Sequence, residues 1–310
     1  APLEGSHEPV LVAESLRCLA PGRGGVFVDC TVGLGGHAAA LLAAAPEARL
    51  VGLDRDPEAL AGAAARLAPF AGRWELHAGR FGDLAALLAP LGLPPLAGIL
   101  ADLGVSSLQL DRAERGFSFR RDGPLDMRMG GGGPTAAEIV NEYPEAALER
   151  LLREYGEERD ARRIARTLVA TRARQPFATT GELARAVAAA KGGDRRREGR
   201  VDPATRTFQA LRLEVNQELA ELERLLDQAI ELLDRDGRLV VISYHSLEDR
   251  IVKRRLRDAA RGEIEETTGQ TRAESRALEL LTRKPLRPGP AELAANPRSR
   301  SARLRAARRI

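Results

Sequence analysis

The sequence predicts an α/β fold: a parallel sheet with helices on its faces, split by an all-helical insertion. Three observations carry that prediction. Over the first hundred residues, short strand-like runs alternate with Ala/Leu-rich stretches of helical length, the rhythm of successive βαβ units. The rhythm stops at 111–203, where amphipathic patterns follow one another without a convincing strand. A strong strand, GRLVVISY, then returns at 237–244.

The elements follow in order. Strands are expected at 26–31 (VFVDCT), 49–54 (RLVGLD), 74–78 (WELHA) and 98–103 (GILADL), with helices near 36–45, 57–68 and 82–91 between them. Asp56 and Pro57 open the second of these helices with a cap residue and a proline at the first helical position. Residues 111–135 read as a Gly/Pro-rich charged connection and 136–190 as several amphipathic helices. The stretch 191–202 (KGGDRRREGRVD) reads as a solvated loop, and one long helix is expected from 203 to 233. The division is therefore 1–110 and 204–310 as two halves of one α/β domain, with 111–203 inserted between its fourth and fifth strands.

A chain of 310 residues at 44% hydrophobic and 30% charged buries a substantial core, which excludes a disordered or fibrous protein. No run approaches the ~18 apolar residues of a membrane span, and acids stand where a signal peptide carries bases, so a soluble cytoplasmic protein is expected. Cys18 and Cys30 are too few for a disulfide framework, and His7, His37, His77 and His245 show no metal-ligand spacing, so no metal is expected. Charge is uneven. Residues 1–110 hold 7 basic and 11 acidic side chains, whereas 283–310 hold 9 basic against the single acid Glu292. That segment reads as a patch able to lie on phosphates, or as arginines docking the tail on its own domain, as the Asn296-Pro297 turn allows.

The strongest local signal is VFVDCTVGLGGH at 26–37, a strand that ends in an acid and opens through Gly33, Gly35 and Gly36 into a helix. Glycine there lets a ligand approach the backbone. Asp54 ends the next strand 19 residues after Gly35, where a carboxylate accepts both ribose hydroxyls of an adenosine cofactor. Gly33, Gly35 and Ala38 also satisfy the dinucleotide spacing loosely, which keeps a nicotinamide cofactor open. Asp29 and Asp102 favour S-adenosylmethionine (SAM) instead. Asp29 would repel a pyrophosphate but suits the methionine end of SAM, and Asp102 adds a third acid at the carboxyl edge of the sheet, where open parallel sheets bind ligands. No lysine follows a glycine at P-loop spacing, and no cysteine lies beyond position 30 for covalent attack on a pyrimidine.

Six stretches then combine: HEPVL at 7–11, DCTVGLGGH at 29–37, DLGVSSLQLD at 102–111, ERGFSFRRDGPLDMRM at 114–129, SYHSLEDRIVK at 243–253 and NPRSRSARLR at 296–305. In this order, over nearly the whole chain, they resemble the bacterial ribosomal small-subunit RNA cytosine-N4 methyltransferases, the MraW/RsmH family. The resemblance implies a Rossmann-like SAM-dependent methyltransferase sheet with an inserted all-helical domain. It also implies methylation of the exocyclic N4 amine of a cytosine in the decoding centre of 16S rRNA, within the small ribosomal subunit. Cofactor contacts are implied at Gly35, Gly36, His37, Asp54, Phe81, Asp102 and Gln109. The residues' own pattern reaches the glycines, Asp54 and Asp102, whereas His37, Phe81 and Gln109 rest on the resemblance. Read alone, Phe81 suits ordinary core and His37 a helix cap. Amino methyltransferases often carry an Asn/Asp/Ser-Pro-Pro-aromatic motif after the fourth strand, but Asp102-Leu103-Gly104-Val105 stands here, so amine chemistry rests on the resemblance.

A cytosine amine is a poor nucleophile because its lone pair is conjugated into the ring. An acceptor must hold an N–H while nitrogen pyramidalises, and alignment supplies most of the rate. Asp102 is the first candidate, followed by Ser106, Ser107 and Asp126. His245 and Ser246 either line the base pocket or cap the helix before Leu247. Arg298 and Arg300 are candidates for phosphate contact. The competing functions are a nicotinamide-dependent oxidoreductase and a non-catalytic RNA-binding assembly factor.

Overall fold

The computed structural model describes residues 9–192, 202–262 and 273–310, so most of the solvated loop, including Arg195 to Arg197, lies outside the described residues. Two compact units result, one from Ala1–Gly104 with Leu219–Ile310 and the other from Val105–Glu218.

The first unit begins with α1 (Val12–Leu19), β1 (Gly25–Asp29), α2 (Gly36–Ala44), β2 (Ala48–Asp54), α3 (Pro57–Leu67), β3 (Trp74–Ala78), α4 (Leu84–Leu88) and β4 (Leu96–Asp102). The chain then builds the second unit from α5 (Ser107–Asp111), α6 (Ala136–Glu142), α7 (Glu145–Glu154), α8 (Ala161–Arg172), α9 (Thr180–Ala190) and α10 (Thr205–Asn216). It closes with α11 (Glu218–Leu232), β5 (Leu233–Ser243), α12 (Ser246–Arg261), β6 (Leu278–Leu280), α13 (Pro290–Ala295) and β7 (Arg303–Arg309).

The seven strands stand in the order β3-β2-β1-β4-β5-β7-β6. Strands β1 to β5 are parallel, and β7 runs antiparallel between β5 and β6. The order reverses direction between β1 and β4, the switch point at which an open α/β sheet leaves a crevice beyond its strand ends. Asp29, Asp54 and Asp102 are the last residues of β1, β2 and β4, so the topology brings all three acids to that edge.

Alternation along each strand feeds two separate cores, one per face. Val26, Val28, Ile99, Ala101, Leu239 and Val241 pack into a core with α4, α11 and α12. Phe27, Leu50, Leu100, Val240 and Ile242 pack on the other side with residues of α1, α2 and α3. Burial on both faces is why these strands read as apolar runs in the sequence.

The second unit has its own core, which includes Ile139, Leu148, Ile164, Leu168, Leu183, Phe208 and Leu211. Three of its helices open on reciprocal capping boxes, Ser106 with Gln109, Thr135 with Glu138 and Thr179 with Glu182. The 111–135 segment is more than a connection, because Phe117, Leu125, Met127 and Met129 are buried in this core. Buried Asn216 pins it by donating from Nδ2 to the Met127 carbonyl at 2.8 Å and accepting the Met129 N–H at 2.9 Å. Gly123 is obligatory, since a Cβ there would stand 1.9 Å from the Ala113 carbonyl oxygen.

Two elements differ from the sequence expectation. The long helix expected at 203–233 is broken at Gln217, whose φ of 52° ends α10 in the left-handed region and separates it from α11. The first half, α10, therefore belongs to the helical unit, which extends from Val105 to Glu218 instead of 111–203. The second difference is a strand in the Arg-rich C-terminal segment: its last quarter forms β7, an interior strand of the sheet, as the docking alternative for that segment requires.

Candidate active site

The β1–α2 loop is shaped by hydrogen bonds that converge on the three strand-end acids. Asp54 accepts the Gly33 N–H through Oδ2 and the Asp56 N–H through Oδ1, each at 2.9 Å, which ties the loop to the end of β2. Asp56 in turn caps α3 by accepting the Glu58 N–H at 3.1 Å. Asp29 accepts the Thr31 N–H at 3.1 Å, and the Thr31 hydroxyl accepts the Asp102 N–H at 2.7 Å. One short stretch of backbone thus fixes the ends of β1, β2 and β4 against each other.

The glycines divide by role. Gly33, at φ 51°, has only the Thr31 carbonyl near a would-be Cβ, at 3.8 Å, so this side of the loop is open. A Cβ on Gly35, at φ 76°, would press on Ala63 of α3 at 3.2 Å, and one on Gly36 would meet Pro9 at 2.8 Å. Close packing within the protein accounts for Gly35 and Gly36, and a left-handed backbone beside open space for Gly33.

Charge at this edge is out of balance. Burial pushes the Asp29 carboxyl up to about 7, against the Thr31 N–H that favours its ionised form. Burial also pushes Asp102 up to about 7 despite a hydrogen bond from Tyr244. Asp54 is raised by burial as well, with the Asp56 and Gly33 N–H groups opposing. Among the described residues no lysine or arginine pairs with Asp29 or Asp102. Buried carboxylates without a cation are costly, and a positively charged ligand relieves that cost. Asp29 is closed at 2% exposure, but the Asp102 side chain keeps 18%, so Asp102 is the one a substrate can reach.

His37 and Tyr244 flank Asp102. The His37 Nε2 lies 2.9 Å from the Val10 carbonyl, which can only accept, so Nε2 carries the proton. Burial lowers the His37 pKa, leaving a neutral ring whose Nδ1 lone pair stands 3.8 Å from Asp102 Oδ2. On the other side the Tyr244 hydroxyl donates to Asp102 Oδ1 at 2.8 Å. Sequence reasoning does not single out Tyr244. The available signal is its place just past β5, in register with Asp102 through Ile242.

The remaining candidates take various positions. Phe81 lies in a turn pinned to α11, where Glu221 accepts the Gly82 N–H at 2.9 Å and Gln228 donates to the Gly82 carbonyl at 2.7 Å. Its ring is half-buried against the first core. Ser106 and Gln109 form the capping box of α5 in the helical unit, with the Gln109 side-chain oxygen accepting the Ser106 N–H. Ser107 begins that helix, and its side chain lies outside the described part. Burial pushes Asp126 up, but three hydrogen bonds from Arg128 outweigh it and hold the carboxyl below the usual range, which makes it a weak base. His245 caps α12 by accepting the Glu248 N–H at Nδ1, so the structural alternative describes it better than a pocket wall. Arg298 and Arg300 are exposed. Arg303 and Arg305 instead bind Asp249, and Arg308 binds Asp236 and Glu279. No group of residues suited to a metal occurs among the described residues, and no described helix is long and apolar enough to cross a membrane.

Comparison with known proteins places this geometry. The MraW methylase family matches residues 4–310. A ribosomal RNA small subunit methyltransferase H from Acidiphilium cryptum is 52% identical over 311 residues, covering 98% of each chain. Proteins of the same name from Granulibacter bethesdensis and a Nocardioides species are 49% and 50% identical. They cover 97% and 98% of this chain and 91% and 97% of their own lengths.

Proposed function

The chain belongs to the MraW methylase family, and from that premise we propose that it transfers the methyl group of SAM to the exocyclic N4 amine of a cytosine in 16S rRNA, in the cytoplasm and within the small ribosomal subunit. Neither the oxidoreductase nor the non-catalytic alternative finds support in a methylase family that spans the chain. The donor set suits SAM: Asp54 keeps lone pairs for a ribose diol, the closed Asp29 carboxyl lies behind the loop where its charge favours a cationic ligand, and Gly33 leaves the loop open. His37 and Phe81 would complete the cofactor's surroundings within the first unit. Bound SAM supplies an electrophilic methyl on a sulfonium.

The observation that carries the amine reading is Asp102, a reachable carboxylate with one oxygen engaged by Tyr244 and the other without a donor among the described residues. That second oxygen holds an N–H of the amine, aligns the nitrogen and takes the proton released on transfer. A carboxyl with a value near 7 is suited to do so at neutral pH. The test is nucleoside mass spectrometry of small subunits incubated with the protein and methyl-labelled SAM. Label in N4-methylcytidine is expected. Label on a ring carbon, on another nucleoside or nowhere in the RNA overturns the reading.

A further inference from the structure

We propose that Tyr244 is a positioning residue for methyl transfer: its hydroxyl fastens one oxygen of Asp102 and so presents the other to the amine. The proposal rests on Asp102 being the acceptor in the reading above. Tyr244 reaches Asp102 from the end of β5, the strand beside β4, and donates to Oδ1 at 2.8 Å. Among the described residues nothing donates to Oδ2. Its polar neighbour is His37 Nδ1, 3.8 Å away, which presents a lone pair because Nε2 is committed to the Val10 carbonyl. The carboxylate is thus divided into an oxygen held by the protein and an oxygen left for a ligand.

The ring itself has little freedom. The Tyr244 N–H is held by Glu248 Oε2 at 2.8 Å, and the ring packs half-buried against the second core. Gly104 makes room for it, since a Cβ there would stand 3.3 Å from Tyr244 Cδ2. A phenylalanine would fill the same space, so packing does not require the hydroxyl and the bond to Asp102 is what gives it a role. Burial, then Asp102, raise the phenol well above its ordinary value, so it remains a donor.

The charged and titratable groups facing Asp102 are Tyr244 beyond β5, His37 on α2, Asp29 at the end of β1 and Glu248 on α12. Of these, Tyr244 stabilises the carboxylate, whereas Glu248 opposes it. Removing the hydroxyl therefore makes Asp102 harder to ionise. Well above pH 7, where Asp102 is ionised in both proteins, Tyr244→Phe should lower kcat about tenfold or more while leaving the KM and affinity for SAM unchanged. The acidic limb of its pH–rate profile should move to higher pH by about one unit, a shift that a purely structural defect does not produce. In an Asp102→Asn background, where the rate is already reduced, the same substitution should cost nothing further.

An unmoved profile with unchanged kcat overturns the proposal. So does an equal further loss in the Asp102→Asn background, or a Tyr244→Phe protein that has lost SAM affinity well above pH 7. If Asp102→Asn alone is fully active, the acceptor reading falls and this proposal with it. If Asp102→Asn is impaired while Tyr244→Phe is not, only the role of Tyr244 falls.

Discussion

The acids at the carboxyl edge of the sheet and the arginines of β7 both look like functional charge in the sequence, and the structure treats them in opposite ways. Asp29 and Asp102 are desolvated with no arginine or lysine to balance them among the described residues. Three of the four arginines of β7 are answered: Arg305 is 7% exposed and bidentate to Asp249, Arg303 shares that acid, and Arg308 binds Asp236 and Glu279. Buried charge that the fold leaves unbalanced calls for a ligand. Charge that the fold has already balanced is architecture, however strong its sequence signal.

The comparison breaks most visibly if β7 arginines prove to be RNA ligands. Arg305→Ala removes the bidentate partner of Asp249, leaving that acid only Arg303, and should cost about 2 kcal/mol or more of stability, with early melting. Retained stability with weakened RNA binding would reverse the assignment. On the acidic side, Asp54→Ala should weaken SAM binding by about 1.5 to 3 kcal/mol, read by calorimetry on the folded variant. Unchanged affinity would remove Asp54 from the cofactor site. The smallest effect is expected at the exposed basic positions. Replacing Arg298 and Arg300 with glutamine should leave melting and SAM affinity intact. It should also flatten the slope of log RNA affinity against log salt by about 0.7 to 0.9 for each phosphate no longer neutralised. A slope that does not move places the RNA surface elsewhere.

Much of the first unit is legible because its signals are local. Short apolar strand runs, the glycine loop and the Asp56-Pro57 cap each declare themselves within a few residues, and the strand ends that carry the acids follow from them. The features that escape depend on distant partners. Strand β7 reads as a basic tail because the acids that neutralise it, Asp236, Asp249 and Glu279, lie far away in sequence. The break at Gln217 interrupts a pattern that is helical on both sides, and no glycine or proline marks it. The 111–135 segment looks like a charged loop because its four buried apolar residues are scattered among arginines and glycines. At the site, the three acids are visible as strand ends, but the sequence cannot separate Asp102, which is reachable, from Asp29, which is sealed. Nor can it show that His245 is occupied in capping while its neighbour Tyr244 turns toward Asp102.

The central claim is that a cationic cofactor completes the acidic edge, and proton-linked calorimetry of SAM binding tests it most directly. Without ligand, Asp29 and Asp102 hold protons up to about pH 7. A cationic cofactor held at this edge would favour the ionised forms, so binding near pH 6.5 should release protons, and affinity should rise with pH through 7. Titrations at that pH in two buffers of different ionisation enthalpy should give different heats, and the proton release they report should shrink as the pH rises through 7. Equal heats in the two buffers at pH 6.5, with an affinity that does not change with pH, would contradict the account.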